Sequence, residues 1–132
     1  MSEQAILCVD DEPPILNSLK EQLKRRLGGH YLYETAESAE EAWEAIEELD
    51  EEGIQVIAIV SDWLMPGMKG DEFLIQVHQR FPDIATILLT GQAREEAVER
   101  AIQQGNLRCC LRKPWTEEDL GRILTSILGS GS

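Results

Sequence analysis

Three carboxylates, one hydroxyl and one ammonium group stand where apolar runs of this chain end. Asp10 and Asp11 follow residues 5–9, Asp62 follows residues 54–60, Thr90 follows residues 84–89, and Lys113 follows residues 107–112. Acids brought together repel and raise one another's proton affinity, so such a group implies a bound cation. Oxygen donors in a small, partly hydrated site suit Mg²⁺, with Mn²⁺ or Ca²⁺ as substitutes. Beside such an ion an Asp62 oxygen could attack phosphorus. The Lys113 ammonium would then offset charge on the phosphoryl oxygens and the Thr90 hydroxyl would donate a hydrogen bond to them. Taken singly, each residue has a plainer reading: Asp62 could cap a turn, and acids, threonines and lysines are common in loops. Their joint placement is much harder to assign to loop composition.

The elements that must gather these groups alternate in type. Ile54-Gln55-Val56-Ile57-Ala58-Ile59-Val60 is β-branched and nearly continuous, as a strand buried on both faces of a parallel sheet should be. Residues 5–9, 31–36, 84–89 and 107–112 read as further strands. A first helix opens at Pro13-Pro14, carries a stripe of Ile15, Leu16, Leu19, Leu23 and Leu27, and stops at Gly28-Gly29. Ser38 and Glu41 form a capping-box signature ahead of Ala42, Trp43, Ile46 and Leu49, where Trp43 follows the packing stripe. Residues 71–81 form a third helix through Phe73, Leu74 and Val77, with His78 exposed or at its rim. Residues 93–104 form a fourth with a thin apolar face. The last is capped by Thr116 and Asp119 and buried through Leu120, Ile123, Leu124 and Ile127. Five strand-helix units with right-handed crossovers predict a doubly wound parallel sheet, and open α/β sheets bind ligands at the carboxyl ends of their strands.

Bulk properties narrow the function classes. The chain has 132 residues, enough for one domain with a real core. Its net charge of −13 opposes direct binding to nucleic acid. Much of that charge falls between Glu34 and Glu52, a stretch without Lys or Arg that reads as the solvated face of one helix. Cys8, Cys109 and Cys110 have no ligand-type spacing, and adjacent strand residues point to opposite faces, so neither a disulfide framework nor a zinc site is expected. A signal peptide and a membrane-length apolar run are both absent from the sequence, which makes a reduced cytoplasm the expected compartment and no membrane the expectation. Gly129-Ser130-Gly131-Ser132 reads as a flexible linker or expression remnant, leaving 1–128 as the domain.

Four motifs in order complete the picture: Val9-Asp10-Asp11-Glu12, then Ser61-Asp62-Trp63-Leu64-Met65-Pro66-Gly67-Met68-Lys69-Gly70, then Leu89-Thr90-Gly91, then Lys113-Pro114-Trp115. Over residues 4–128 the chain resembles the response regulator receiver domains of two-component signalling. The resemblance supports a flavodoxin-like five-stranded sheet of order 2-1-3-4-5 with five helices, an order for which receiver proteins are a standard example. It implies that Asp62 accepts phosphate from a histidine kinase or phosphotransfer protein. Mg²⁺ would be held by Asp11, Asp62 and the Leu64 backbone carbonyl, with Asp10 acting through water. Lys113 would pair with Asp62 or its phosphoryl group, Thr90 would read phosphorylation, and Leu64 and Gln92 would influence how long the aspartyl phosphate survives. Such a domain is a signalling element, not an enzyme beyond self-phosphorylation and self-hydrolysis.

One position departs from the family. Receivers usually carry Tyr or Phe three residues before the active-site Lys, and here that residue is Cys110. A subgroup with a second ring two residues earlier has its counterpart in Arg108. A small thiol is unable to sweep an aromatic surface in and out. The signal is therefore expected to leave through the Thr90 loop and the helix over 93–104. An effector, unidentified by sequence, would dock on the face formed by residues 93–128, where Arg94, Arg100, Arg108, Arg112 and Arg122 interrupt an acidic protein or balance local glutamates. Homodimerisation stays open, as does the choice between a single-domain regulator and the receiver portion of a longer protein. Two other classes compete: a phosphate-independent receiver-like binding module, and a haloacid dehalogenase-type phosphohydrolase. The second would need an Asp-x-Asp nucleophile motif after the first strand, where this chain has adjacent Asp10-Asp11.

Overall fold

A computed structural model of the chain describes residues 3–63, 65, 67–90, 107–112 and 115–129; at 90, 107–110, 112, 128 and 129 the description is of the backbone. In chain order the elements are β1 (Gln4–Val9), α1 (Pro13–Leu27), a 3₁₀ turn (Gly28–His30), β2 (Leu32–Ala36) and α2 (Ala39–Glu51). They continue with β3 (Gln55–Asp62), α3 (Gly70–Arg80), β4 (Ala85–Thr90), β5 (Leu107–Arg112) and α4 (Glu117–Gly129). The strands make one sheet in the order β2-β1-β3-β4-β5, every pairing parallel. The helix expected over residues 93–104 lies outside the described residues, so four α-helices are described where the sequence predicts five.

Alternation along the central strands builds two separate cores. Ala5, Leu7 and Val9 of β1 pack with Ile59 and Leu88 against Ala42 and Ile46 of α2 and Phe73, Leu74 and Val77 of α3. Ile6 and Cys8 face the other way, with Ala58, Val60, Ile87 and Leu89, against Leu16, Leu19 and Leu23 of α1 and Leu120 and Leu124 of α4. A sheet covered on both faces has to be apolar on both, which explains why β3 reads as a run with little polar alternation. Ile123 and Ile127 lie half-buried at the margin of the second core.

The helix ends are set by local chemistry. The Glu12 carbonyl accepts from Ile15 and Leu16 N–H as α1 starts on its two prolines. Gly28 ends the same helix at φ 80°, a left-handed conformation that side chains disfavour, and its N–H donates to the Lys24 carbonyl. At α2 the Ser38 hydroxyl accepts from Glu41 N–H at 3.1 Å. The Glu41 carboxylate reaches back past Ser38 to the N–H of Glu37 at 2.7 Å, one residue upstream of the expected capping box. Thr116 caps α4 by accepting from Asp119 N–H at 3.1 Å.

Side-chain contacts join α1 to α4 and to the segment that leads into it. Trp115 Nε1 donates to Gln22 Oε1 at 2.8 Å, and Arg25 donates to Glu117 at 2.6 Å with Arg26 3.5 Å away. On the opposite face Trp43 stacks edge-on against Phe73 at 5.8 Å, and the Arg80 guanidinium lies 4.7 Å over its ring while pairing with Glu47. Trp43 is thus a packing residue that also seats a cation. His78 is half-buried, at the rim as expected, with its Nδ1 turned inward and without a hydrogen-bond partner among the described residues.

Candidate functional site

Parallel register brings the acids together. Val9 of β1 pairs with Ser61 of β3, so the residues that follow, Asp10 and Asp62, leave the sheet at the same level. Asp10 is fully buried and extends the ladder through its N–H to the Ala36 carbonyl at 3.1 Å. Its Oδ1 accepts from Glu12 N–H at 2.9 Å, a side-chain turn that steers the chain into α1. Asp11 is exposed. Asp62 is the last residue of β3 and 7% exposed, so its carboxylate belongs to the sheet edge and not to a solvated loop.

Asp10, Asp11 and Asp62 each offer an oxygen, all within 4.8 Å of one another. Two carboxylates that close repel by about 3 kcal/mol at an effective dielectric constant near 20, with screening on the exposed Asp11 side. An all-oxygen donor set of this spread fits a divalent cation that binds carboxylates directly or through the waters it retains. The residues present are therefore compatible with metal binding, with the exposed Asp11 marking the open side of the site.

The chain leaves Asp62 through a loop that closes on itself. Trp63 N–H donates to the Leu89 carbonyl at 3.2 Å, and seven residues later Gly70 N–H donates to the Trp63 carbonyl at 2.8 Å. Gly67 turns the loop at φ 82°. Gly70 starts α3 in direct contact with the end of β3: a methyl group there would overlap the Asp62 carbonyl oxygen and lie 2.9 Å from the Asp62 carbonyl carbon and from Trp63 Cα. The Ser61 hydroxyl donates to the same Asp62 carbonyl at 3.0 Å. Above the loop the Lys69 ammonium lies 4.8 Å over the Trp63 ring.

Of the residues singled out by sequence, the structure brings Asp10, Asp11 and Asp62 together. Thr90 closes β4 opposite Arg112 of β5, the residue before Lys113 in sequence. The Thr90 hydroxyl, the Leu64 carbonyl, Lys113, Gln92 and the Cys110 side chain lie outside the described residues. Cys8 is core filler, its thiol pushed up to about 12 by burial. Gly70 closes the second motif but was given no role by sequence; its signal is a glycine at the first position of a helix, where its low helix propensity needs a reason. A cleft of about 300 Å³ between the carboxyl ends of α2 and α3 is lined by Ile46, Val56, Phe81, Ile84 and the charged Asp50 and Arg80, and holds none of the motif residues. Among the described residues no helix is long and apolar enough to cross a membrane.

Known proteins share this plan. The chain is 26% identical over 129 residues to a chemotaxis protein CheY homolog of Campylobacter jejuni, covering 96% of this chain and 94% of that one. It is 29% identical over 118 residues to the hydrogenase transcriptional regulatory protein HoxA of Cupriavidus necator, covering 89% of this chain but 23% of that longer protein. A crystal structure of a CheY-like response regulator receiver domain protein from Methanospirillum hungatei JF-1 superposes with a TM-score of 0.84 at 29% identity, over 98% of this chain and 96% of that one. The family model described as response regulator receiver domain matches residues 6–125. With a doubly wound parallel sheet and its acid cluster at the carboxyl edge, the chain belongs to the response regulator receiver domain family.

Proposed function

We propose that the domain accepts a phosphoryl group on Asp62 from a histidine kinase or phosphotransfer protein, and that this changes the face it presents to a partner. The observation that supports the reading is the gathering of Asp10, Asp11 and Asp62 within 4.8 Å at the edge of a receiver fold. An Asp62 oxygen bonds to phosphorus as the phosphorus–nitrogen bond of the donor's phosphohistidine breaks, the electron pair staying on the imidazole nitrogen. Asp11, Asp62 and the Leu64 carbonyl would hold Mg²⁺, or Mn²⁺ in its place, with Asp10 acting through water; the ion supplies positive charge against the phosphoryl oxygens. Lys113 pairs its ammonium with Asp62 or the phosphoryl group, and the Thr90 hydroxyl donates a hydrogen bond that reads the group's presence. Burial of Asp10 and Asp62 makes the Asp11 side the approach for the donor.

The domain signals, with self-phosphorylation from small donors and slow self-hydrolysis as its own chemistry, in the cytoplasm where a kinase donor would meet it. The effector docks on the face formed by residues 93–128, with homodimerisation through that face as an alternative assembly. Incubation with acetyl phosphate and Mg²⁺ is expected to label the protein once per chain, and Asp62→Ala to lose the label. A wild-type chain that stays unlabelled, with acetyl phosphate and with a kinase, would point to a phosphate-independent binding module. Steady turnover of small phosphate esters would point to a phosphohydrolase.

A further inference from the structure

We propose that Gly70 is a positioning residue for the acid site: its lack of a side chain lets α3 close directly on the Asp62 carbonyl, and that closure sets the cation affinity of the cluster. The inference rests on the reading that Asp10, Asp11 and Asp62 hold a divalent ion. Its basis is the contact itself. The atoms a Gly70 methyl would meet are the Asp62 carbonyl and Trp63 Cα, all backbone, so relief requires main chain to move. Two bodies could yield. Helix α3 is anchored by Phe73, Leu74 and Val77, each fully buried, and withdrawing it would loosen that apolar packing. The end of β3 is held by the pairing of Asp62 with Leu89 and by the bond from Trp63 N–H to the Leu89 carbonyl, and beyond these it leads into the loop. Whichever body yields, the contact that changes is the one at the Asp62 carbonyl, in the residue whose carboxylate belongs to the cluster.

Other glycines separate this demand from ordinary backbone freedom. Gly53 and Gly67 sit at φ 78° and 82°, and a methyl on either would have nothing within 4 Å, so they serve turns and not contacts. Gly121 meets the Arg26 side chain, a flexible chain paired with Glu117 that can shift by rotation about its own bonds, and not main chain. Gly70 is the one described glycine packed against the main chain of an acid of the cluster, and its N–H bond to the Trp63 carbonyl closes the loop at the same point. Reciprocity follows from linkage: if closure raises cation affinity, a bound cation must tighten the closure by the same free energy.

The experiment is an NMR titration of the full chain with Mg²⁺ alone. Gly70→Ala is expected to weaken Mg²⁺ binding by about tenfold, in the range seen when groups supporting metal ligands are changed. Gly53→Ala, strained but remote, is expected to lose stability yet keep its Kd within about twofold. An unchanged Kd in Gly70→Ala, or an equal loss in Gly53→Ala, overturns the proposal. Should Gly70→Ala fail to fold, the wild-type chain decides: saturating Mg²⁺ must slow exchange of the Gly70 amide, and an unchanged rate overturns the proposal. A wild-type chain that binds no Mg²⁺ sinks the cation-site reading along with it, whereas binding without coupling to Gly70 sinks this inference alone.

Discussion

Two corners of the sheet deliver acids to one place by opposite means. After β1 the chain turns within Asp10, Asp11 and Glu12, and the Asp10 carboxylate itself accepts the Glu12 N–H that makes the turn. After β3 the chain takes a loop from Trp63 to Lys69, closed by main-chain groups of Trp63 and Gly70. Asp10 is thus partly a structural residue, committing one oxygen to local geometry. The corner at Asp62 is closed by backbone, an arrangement that suits the phosphoacceptor role proposed for its carboxylate. Sheet geometry brings the two together, and turn chemistry distinguishes their tasks.

The long corner is expected to be the more fragile. Gly70→Ala forces main chain apart and should cost about 1–3 kcal/mol in urea unfolding; a loss below a few tenths would mean that α3 and β3 part easily and that the closure is loose. For the short corner, Asp10→Ala removes the acceptor from Glu12 N–H and should cost about 1 kcal/mol. Asp62→Ala should cost less, or stabilise the metal-free protein, because it lifts repulsion from Asp10 and Asp11 while leaving the loop closure in place. Equal losses in the two would erase the contrast between the corners.

Smaller effects test the frame around them. Cys8 lies one residue before the end of β1, and burial holds its thiol at about 12 against an ordinary 9.0. Its folded value is raised, so the unfolded chain ionises first. Stability should be untouched below pH 9 and fall as pH rises toward 12, and Cys8→Ala should flatten that alkaline limb in melts followed by circular dichroism. The smallest change is expected at Glu117, at the surface but partly covered and held below the ordinary carboxylate range by its hydrogen bond from Arg25. Its contribution is present above the unfolded value and lost as pH falls through the folded one, so Glu117→Gln should matter little at neutral pH and less still at high salt.

Much of the sheet was legible because burial on two faces leaves a strong local imprint. β3 reads as a nearly continuous apolar run, α1 and α2 carry their stripes, and Pro13, Gly28 and Ser38 act within a few residues of where they stand. The acid cluster was legible through the placement of Asp10, Asp11 and Asp62 after strands. Contacts between distant segments were not. Nothing local in sequence announces that Gln22 meets Trp115, that Arg25 meets Glu117, or that Arg80 lies over Trp43. The same holds for Gly70: its motif was visible, but the reason for a glycine is a clash with a carbonyl eight residues away. Even the capping box moved, since Glu41 reaches the N–H of Glu37.

The clasp between α1 and α4 bears on how the protein is made. Leu16, Leu19 and Leu23 emerge from synthesis well before Leu120 and Leu124, which help cover the same face. A nascent chain therefore holds a half-covered apolar face until α4 leaves the ribosome, and a product released before Trp115 would expose that face to chaperones and proteases.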